Sequence, residues 1–103
     1  MAIRIKIPPP LRGMTLGQGV VEVQGNTVAE VLLHLDTRFP GLRNRLFDPT
    51  TGVPIFGVFL NRQDMRTLNK EEGRYELKVD SPVREGDQLT IIPPMAGGKK
   101  ENP

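Results

Sequence analysis

Apolar and basic residues alternate over Ile3-Arg4-Ile5-Lys6-Ile7, and a period of two puts every isoleucine on one face of a half-buried strand. Pro8-Pro9-Pro10 closes that strand, because proline has no amide hydrogen to give to a ladder. Leu11 to Leu16 reads as a loop. Gln18 to Val23 resumes the alternation before a turn at Gln24-Gly25-Asn26, which makes an opening hairpin with a long connection. The period then changes. Val28, Val31, Leu32, Leu35 and Phe39 follow a spacing of three and four that lays a single apolar stripe along a helix. Thr27-Val28-Ala29-Glu30 has the form of a capping box at its start, and Pro40-Gly41 stops it.

Leu42 to Leu46 predicts a second short helical turn, followed by the Asp48-Pro49-Thr50-Thr51-Gly52 loop. Ile55 to Leu60, rich in branched and aromatic residues, predicts a strand near the sheet centre. Asn61 to Asp64 reads as a turn into a strand at Met65 to Leu68, and Asn69 to Gly73 as a polar, mobile stretch. Arg74 to Val79 predicts another short strand, and the Arg84 to Asp87 turn feeds the last one, Gln88 to Ile92. Strands on either side of one long helix predict an α+β domain of two layers, a mixed four- to five-stranded sheet crossed on one face by the helix.

Composition narrows the picture without changing it. A chain of 103 residues supports one small domain with a single core. Fourteen basic residues scattered among twelve acidic ones leave a net charge of +2, too little for a nucleic-acid partner, and one tyrosine with four phenylalanines offers few stacking platforms. No apolar run is long enough to span a bilayer and the opening residues lack a signal-peptide pattern, so no membrane partner is expected. With no cysteine and a single histidine, His34, thiolate metal sites, disulfides and nucleophile–histidine pairs are unavailable, which fits a cytoplasmic protein.

The end of the chain is its most specific part. Val83-Arg84-Glu85-Gly86-Asp87-Gln88-Leu89-Thr90-Ile91-Ile92 runs into Pro93-Pro94-Met95-Ala96-Gly97-Gly98, and then into Lys99-Lys100-Glu101-Asn102-Pro103. A Gly-Gly pair alone signals little in a chain with eleven glycines. Joined to a terminal strand and a stiff Pro-Pro exit, it describes a terminus built for insertion elsewhere. Together with Gly25-Asn26-Thr27-Val28, Pro40 to Asp48, Phe59-Leu60-Asn61 and Asp64-Met65-Arg66, that ending resembles the ubiquitin-like ThiS/MoaD sulfur-carrier family. The nearer likeness is to its CysO-type branch. It covers residues 3 to 98, and the chain departs from it in a longer polar stretch at Asn69 to Glu76 and in the five residues after Gly98.

The resemblance implies a β-grasp domain over 1–92, a carrier tail over 93–98 and a removable extension over 99–103. It implies that Gly98 carries the working carboxyl group, converted to a thiocarboxylate after cleavage between Gly98 and Lys99. Gly97, Ala96, Met95 and Pro94 would then enter partner sites. Glycine suits such threading because it has no Cβ, and Met95 to Gly98, extended, reaches roughly 13 Å at about 3.3 Å per residue. The implied partners are a ubiquitin-activating-type adenylating enzyme that uses ATP, a JAMM-type metalloprotease, and a sulfur-accepting synthase. That synthase is cysteine synthase-like or, as the alternative destination, the molybdopterin synthase large subunit. The carrier itself would hold no cofactor and no metal and would not be an enzyme. Two other readings share this fold: a ubiquitin-like protein modifier, and a plain binding module with an inert tail.

The remaining residues have plainer readings. Thr27 and Glu30 are a helix cap, and His34, off the apolar stripe, is a solvated histidine. Arg12, Arg43, Arg45, Arg62 and Arg66 read first as solubilising and edge-protecting cations, with an enzyme-docking surface as the alternative. Phe59 and Ile91 read as core.

Overall fold

Five strands order themselves around the opening alternation. In the computed structural model, which describes residues 1–94, β1 (Ala2–Lys6) pairs antiparallel with β2 (Val20–Gln24), joining Ile3 to Val23 and Ile5 to Val21. All four side chains are buried on one sheet face while Arg4, Lys6, Glu22 and Val20 point to the other. The connection contains a 3-10 helix, Pro9–Met14, with proline at its first positions. A loop was expected there. Proline's fixed φ presets such a turn and costs no needed amide at a helix start.

The main helix α1 (Val28–Arg38) forms where the period changes, and its buried stripe is Val28, Val31, Leu32 and Leu35, with Phe39 just beyond. Its cap is half of a capping box. The Glu30 amide donates to Thr27 Oγ1 at 3.2 Å, but the Glu30 carboxylate accepts from the Asn26 amide, one residue before the expected partner. The first two helical amides, Val28 and Ala29, donate instead to the Ser81 and Val79 carbonyls, so the late loop completes the cap. A second turn, α2 (Arg43–Leu46), follows, with Asp36 accepting the Arg43 amide at 2.9 Å.

The second half is more finely divided than the sequence predicts. β3 (Gly57–Leu60) and β4 (Gln63–Asp64) form a tight hairpin about Asn61-Arg62, so Gln63 and Asp64 belong to a strand and not to the turn. β5 (Arg66–Asn69) and β6 (Arg74–Leu77) make a separate two-stranded ribbon in which Asn69 accepts the Glu72 and Gly73 amides. That ordered turn replaces the mobile stretch expected at Asn69 to Gly73. The last strand, β7 (Gln88–Ile92), lies between β1 and β3, and the sheet order is β2-β1-β7-β3-β4. It runs parallel to β1 and antiparallel to β3. Mixed pairing, one main helix across one face and the element order make this a ubiquitin-like β-grasp fold of the α+β class.

The core lies between α1 and the inner face of the sheet. Ile3, Ile5, Ile7, Val58, Leu89 and Ile91 supply the sheet side, and Leu11, Leu42, Leu46, Phe56, Met65, Leu77 and Val83 close the ends. The edge strand β2 is guarded from the helix: Arg38 donates to the Glu22 carbonyl at 2.8 Å, and exposed His34 reaches the Gln24 carbonyl through Nδ1. Acceptors that would otherwise invite another strand are thereby occupied.

Candidate functional site: the exit of the last strand

β7 is paired on both sides and carries two buried residues, Leu89 and Ile91, so it is among the least deformable parts of the domain. The ladder stops at Ile92. Pro93, half-buried, and Pro94, exposed, come next; neither can donate to a neighbouring strand, and each restricts its own φ. Because β1 and β7 are parallel, both finish at the same end of the sheet, and β3 begins there with Gly57 opposite Ile92. The chain therefore leaves from the centre of a rigid frame. Pro94 stands at that exit, whereas Met95, Ala96, Gly97, Gly98 and Lys99 lie outside the described residues.

The outer sheet face leads to the exit. Register sets Lys6, Thr90 and Phe59 in one row, with Ile92 and Gly57 in the next toward the end of β7. Phe59 is thus not a core residue, as its apolar run Val58-Phe59-Leu60 suggested: it is half-buried on the open face, while Ile91 is buried as expected. Phe59, Thr90, Ile92, Asn61 and Arg62 line a shallow, largely apolar groove of about 320 Å³.

One latch shapes that groove. Asn61 sits at φ +57°, a left-handed conformation that asparagine tolerates better than most residues. Its amide donates to the Gln88 carbonyl, its Oδ1 accepts the Gln88 amide at 3.1 Å, and its Nδ2 donates to Asp87 Oδ1 at 3.2 Å. Three bonds bolt the β3–β4 turn to the start of β7. Nothing in the sequence pattern announces this; the signal is only an asparagine at a hairpin tip.

The five candidate arginines do not form one surface. Arg62 projects from the hairpin tip, and Arg66 is held by Asp64, its Nη2 3.0 Å from Oδ2. That hydrogen bond keeps the Asp64 carboxyl below its ordinary range and raises the Arg66 guanidinium. Arg12 donates to the Ile7 carbonyl at 3.0 Å, and Arg45 reaches Met14 Sδ at 3.9 Å, both in or against the loop that begins beside the exit. Arg43 lies over the Phe47 ring, 6.0 Å from its centroid. No three His, Asp or Glu side chains among the described residues are grouped to hold a metal, and no helix there is long and apolar enough to cross a membrane. What the described part of the site offers is presentation: a rigid strand end, an apolar groove and separate cations.

The ThiS family matches residues 8–98. The chain is 32% identical over 98 residues to the sulfur carrier protein CysO of Mycobacterium tuberculosis and of Mycobacterium bovis, covering 95% of this chain and all of theirs. Among solved structures it is similar to a chain of the BexX/CysO complex of Amycolatopsis orientalis, with 31% identity, a TM-score of 0.72, and coverage of 93% of this chain and 99% of that one. The small archaeal modifier protein 1 of Methanosarcina acetivorans, at 21% identity and a TM-score of 0.70 over 94% of this chain and 96% of its own, shares the fold. With the family match running from the first loop through Gly98, this chain belongs to the ThiS family.

Proposed function

We propose that this protein is a sulfur carrier, a co-substrate whose C-terminal Gly98 bears a thiocarboxylate once residues 99–103 are removed. The observation that carries this reading is the placement of β7: a central strand held between β1 and β3 ends at Pro93-Pro94, two residues before the Gly97-Gly98 pair of a ThiS-family chain. Such a frame fixes where the tail starts, and the glycines let it thread a narrow channel. The carrier needs no catalytic side chain, since the chemistry occurs in its partners.

A JAMM-type metalloprotease hydrolyses the Gly98–Lys99 peptide bond and frees the Gly98 carboxylate. An adenylating enzyme joins that carboxylate to the AMP moiety of ATP and releases pyrophosphate. Sulfide, or a persulfide sulfur followed by reduction, displaces AMP and leaves the thiocarboxylate. Its sulfur then attacks the electrophile held by an accepting synthase, and water returns the carboxylate. The similarity to CysO supports delivery toward cysteine through a cysteine synthase-like enzyme. The complex of an Amycolatopsis CysO with BexX supports docking on a partner protein.

The test compares residues 1–98 with the intact chain in ATP–pyrophosphate exchange, followed by intact-mass measurement after sulfide addition. The shortened protein should exchange and gain sulfur in place of one oxygen, while the intact chain does neither. Equal behaviour of the two forms would remove Gly98 from the mechanism.

A further inference from the structure

The main sheet has one long open edge. In the order β2-β1-β7-β3-β4 the outermost strands are β2 and β4, and β4 is two residues long, too short to template another strand. β2 spans five residues and holds Val20, Val21 and Val23, which suit extended backbone. Its pairing with β1 decides which peptide groups are used. The Gly25 amide donates to the Met1 carbonyl and the Ile7 amide to the Gly19 carbonyl, so in this register the odd-numbered residues of β2 bond to β1. The amides and carbonyls of Val20, Glu22 and Gln24 therefore point away from the sheet, toward the side from which another strand would approach.

α1 covers that side with two donors. His34 and Arg38 are four residues apart and share one face of the helix. Arg38 Nη1 donates to the Glu22 carbonyl at 2.8 Å, and His34 Nδ1 donates to the Gln24 carbonyl. Both targets are outward-facing acceptors. Both side chains are exposed, so water would satisfy these carbonyls as well, and burial does not require the bonds. Arg38 is steadied further: its guanidinium lies 5.4 Å from the centroid of the Phe39 ring, and it occupies the last turn of α1, where a cation is favoured.

We infer that Arg38 and His34 hold the β2 edge shut against a second copy of this chain, whose own β2 would otherwise pair with it and join two sheets into one. The edge is self-complementary, which selects that occupant. An antiparallel two-fold through Glu22 brings the outward groups of Val20, Glu22 and Gln24 onto those of Gln24, Glu22 and Val20 in the copy. With α1 in place, the acceptors of Glu22 and Gln24 are already taken on both copies. The same two-fold sets the Glu22 carboxylates opposite each other, a second obstacle to pairing. Edge closure is independent of the carrier reading and stands whether or not Gly98 bears sulfur.

Sedimentation velocity of the full chain over a wide concentration range measures it. Arg38→Met keeps the stem and the helix propensity but has no donor, and His34→Ala removes the other. The double variant should dimerise at a concentration about tenfold or more below the unmutated chain, because acceptors are freed on both copies. Adding Glu22→Pro should abolish that gain: the Glu22 amide faces outward, so proline costs no bond to β1 while it blocks the edge. Mixing the double variant with a form that also carries Glu22→Lys should give heterodimers in preference to either homodimer, since opposite charges then meet across the two-fold. Leu33→Ala, at an exposed leucine on α1, should leave self-association unchanged. A double variant that is folded by circular dichroism and sediments as the unmutated chain does overturns edge closure, and so does a dimer that Glu22→Pro leaves intact. If the double variant does not fold, Arg38→Met alone carries the comparison: a severalfold shift toward dimer is expected, and no shift overturns the inference.

Discussion

Asn61 separates two contributions that a contact count would merge. Its side chain makes two hydrogen bonds, to the Gln88 amide and to Asp87 Oδ1, and its backbone occupies φ +57°. Asn61→Gly removes both bonds but keeps a residue at ease with positive φ. Asn61→Ala removes the same bonds and adds the Cβ penalty. Each exposed bond is worth about 0.5–1 kcal/mol net, toward the low end of the usual range, and the left-handed penalty is about 1 kcal/mol. The expected losses are therefore about 1–2 kcal/mol for glycine and about 2–3 kcal/mol for alanine. Urea unfolding at constant m-value measures both, and a difference of about 1 kcal/mol corresponds to roughly 4–8 °C in a domain of this size. Equal destabilisation by the two variants would show that the backbone conformation costs nothing there. Losses below about 0.5 kcal/mol for both would show that the latch does not hold the hairpin. If the latch positions Phe59 and Arg62, both variants should also raise the KM for tail activation, more for alanine than for glycine.

Gly25→Ala should cost about 1–3 kcal/mol in denaturant unfolding, because a Cβ there would stand 2.7 Å from Val31 Cγ2 and 2.9 Å from the Val31 backbone nitrogen. A neutral result would mean that α1 can shift freely over the turn. For Asp64→Asn, the folded carboxyl is depressed by the Arg66 hydrogen bond, so its stabilisation is complete above the ordinary carboxylate pKa and is lost as pH falls through the lower folded value. Both partners are well exposed, so the variant should cost no more than about 0.5 kcal/mol at neutral pH and nothing in strong acid; a larger loss that persists in strong acid would assign Asp64 a packing role. Replacing Pro93 and Pro94 by glycine should leave the melting temperature nearly unchanged but raise the KM for adenylation severalfold, since each substitution releases about 0.4–1 kcal/mol of conformational restriction in the free chain. An unchanged KM would show that the exit need not be stiff.

The parts that were legible in the sequence are those whose cause is local. The Thr27 cap, the stripe from Val28 to Phe39 and the Pro40-Gly41 stop depend on neighbours within a few turns, and all three stand where the pattern puts them. Long-range pairing was not legible. Val58-Phe59-Leu60 is apolar throughout, so alternation cannot say which side faces inward; only the register with Thr90 and Leu89 puts Phe59 outside and Leu60 against the core. β5 and β6 stand close to the strands predicted at Met65 to Leu68 and Arg74 to Val79, but their pairing as a separate ribbon is not legible, because Leu68 and Tyr75 pair across it on an exposed surface where no buried face imposes a period of two. Pro9–Met14 is too short for a helical period to show. Of the site, the exit at Pro93-Pro94 could be read directly, whereas the Asn61 latch and the outward Leu16 depend on partners distant in sequence or on a φ angle that leucine rarely adopts.

A domain of this kind does its work without a reacting side chain, and its physical requirements follow from that. The carrier reading needs a terminus that reaches a partner's interior while the rest of the molecule stays folded and recognisable. A tail hung from an edge strand would transmit any pull to a ladder with one free side. Here the load falls on β7, which would have to part from β1 and β3 together and expose Leu89 and Ile91 in doing so. The same position fixes the docking problem. On the carrier reading, a tail-binding partner meets the end of the sheet where β1 and β7 finish, with the apolar face at Phe59 and Ile92 on one side and the loop that carries Leu16 on the other. Specificity would then be set by surfaces on either side of a tail whose own glycines carry almost none.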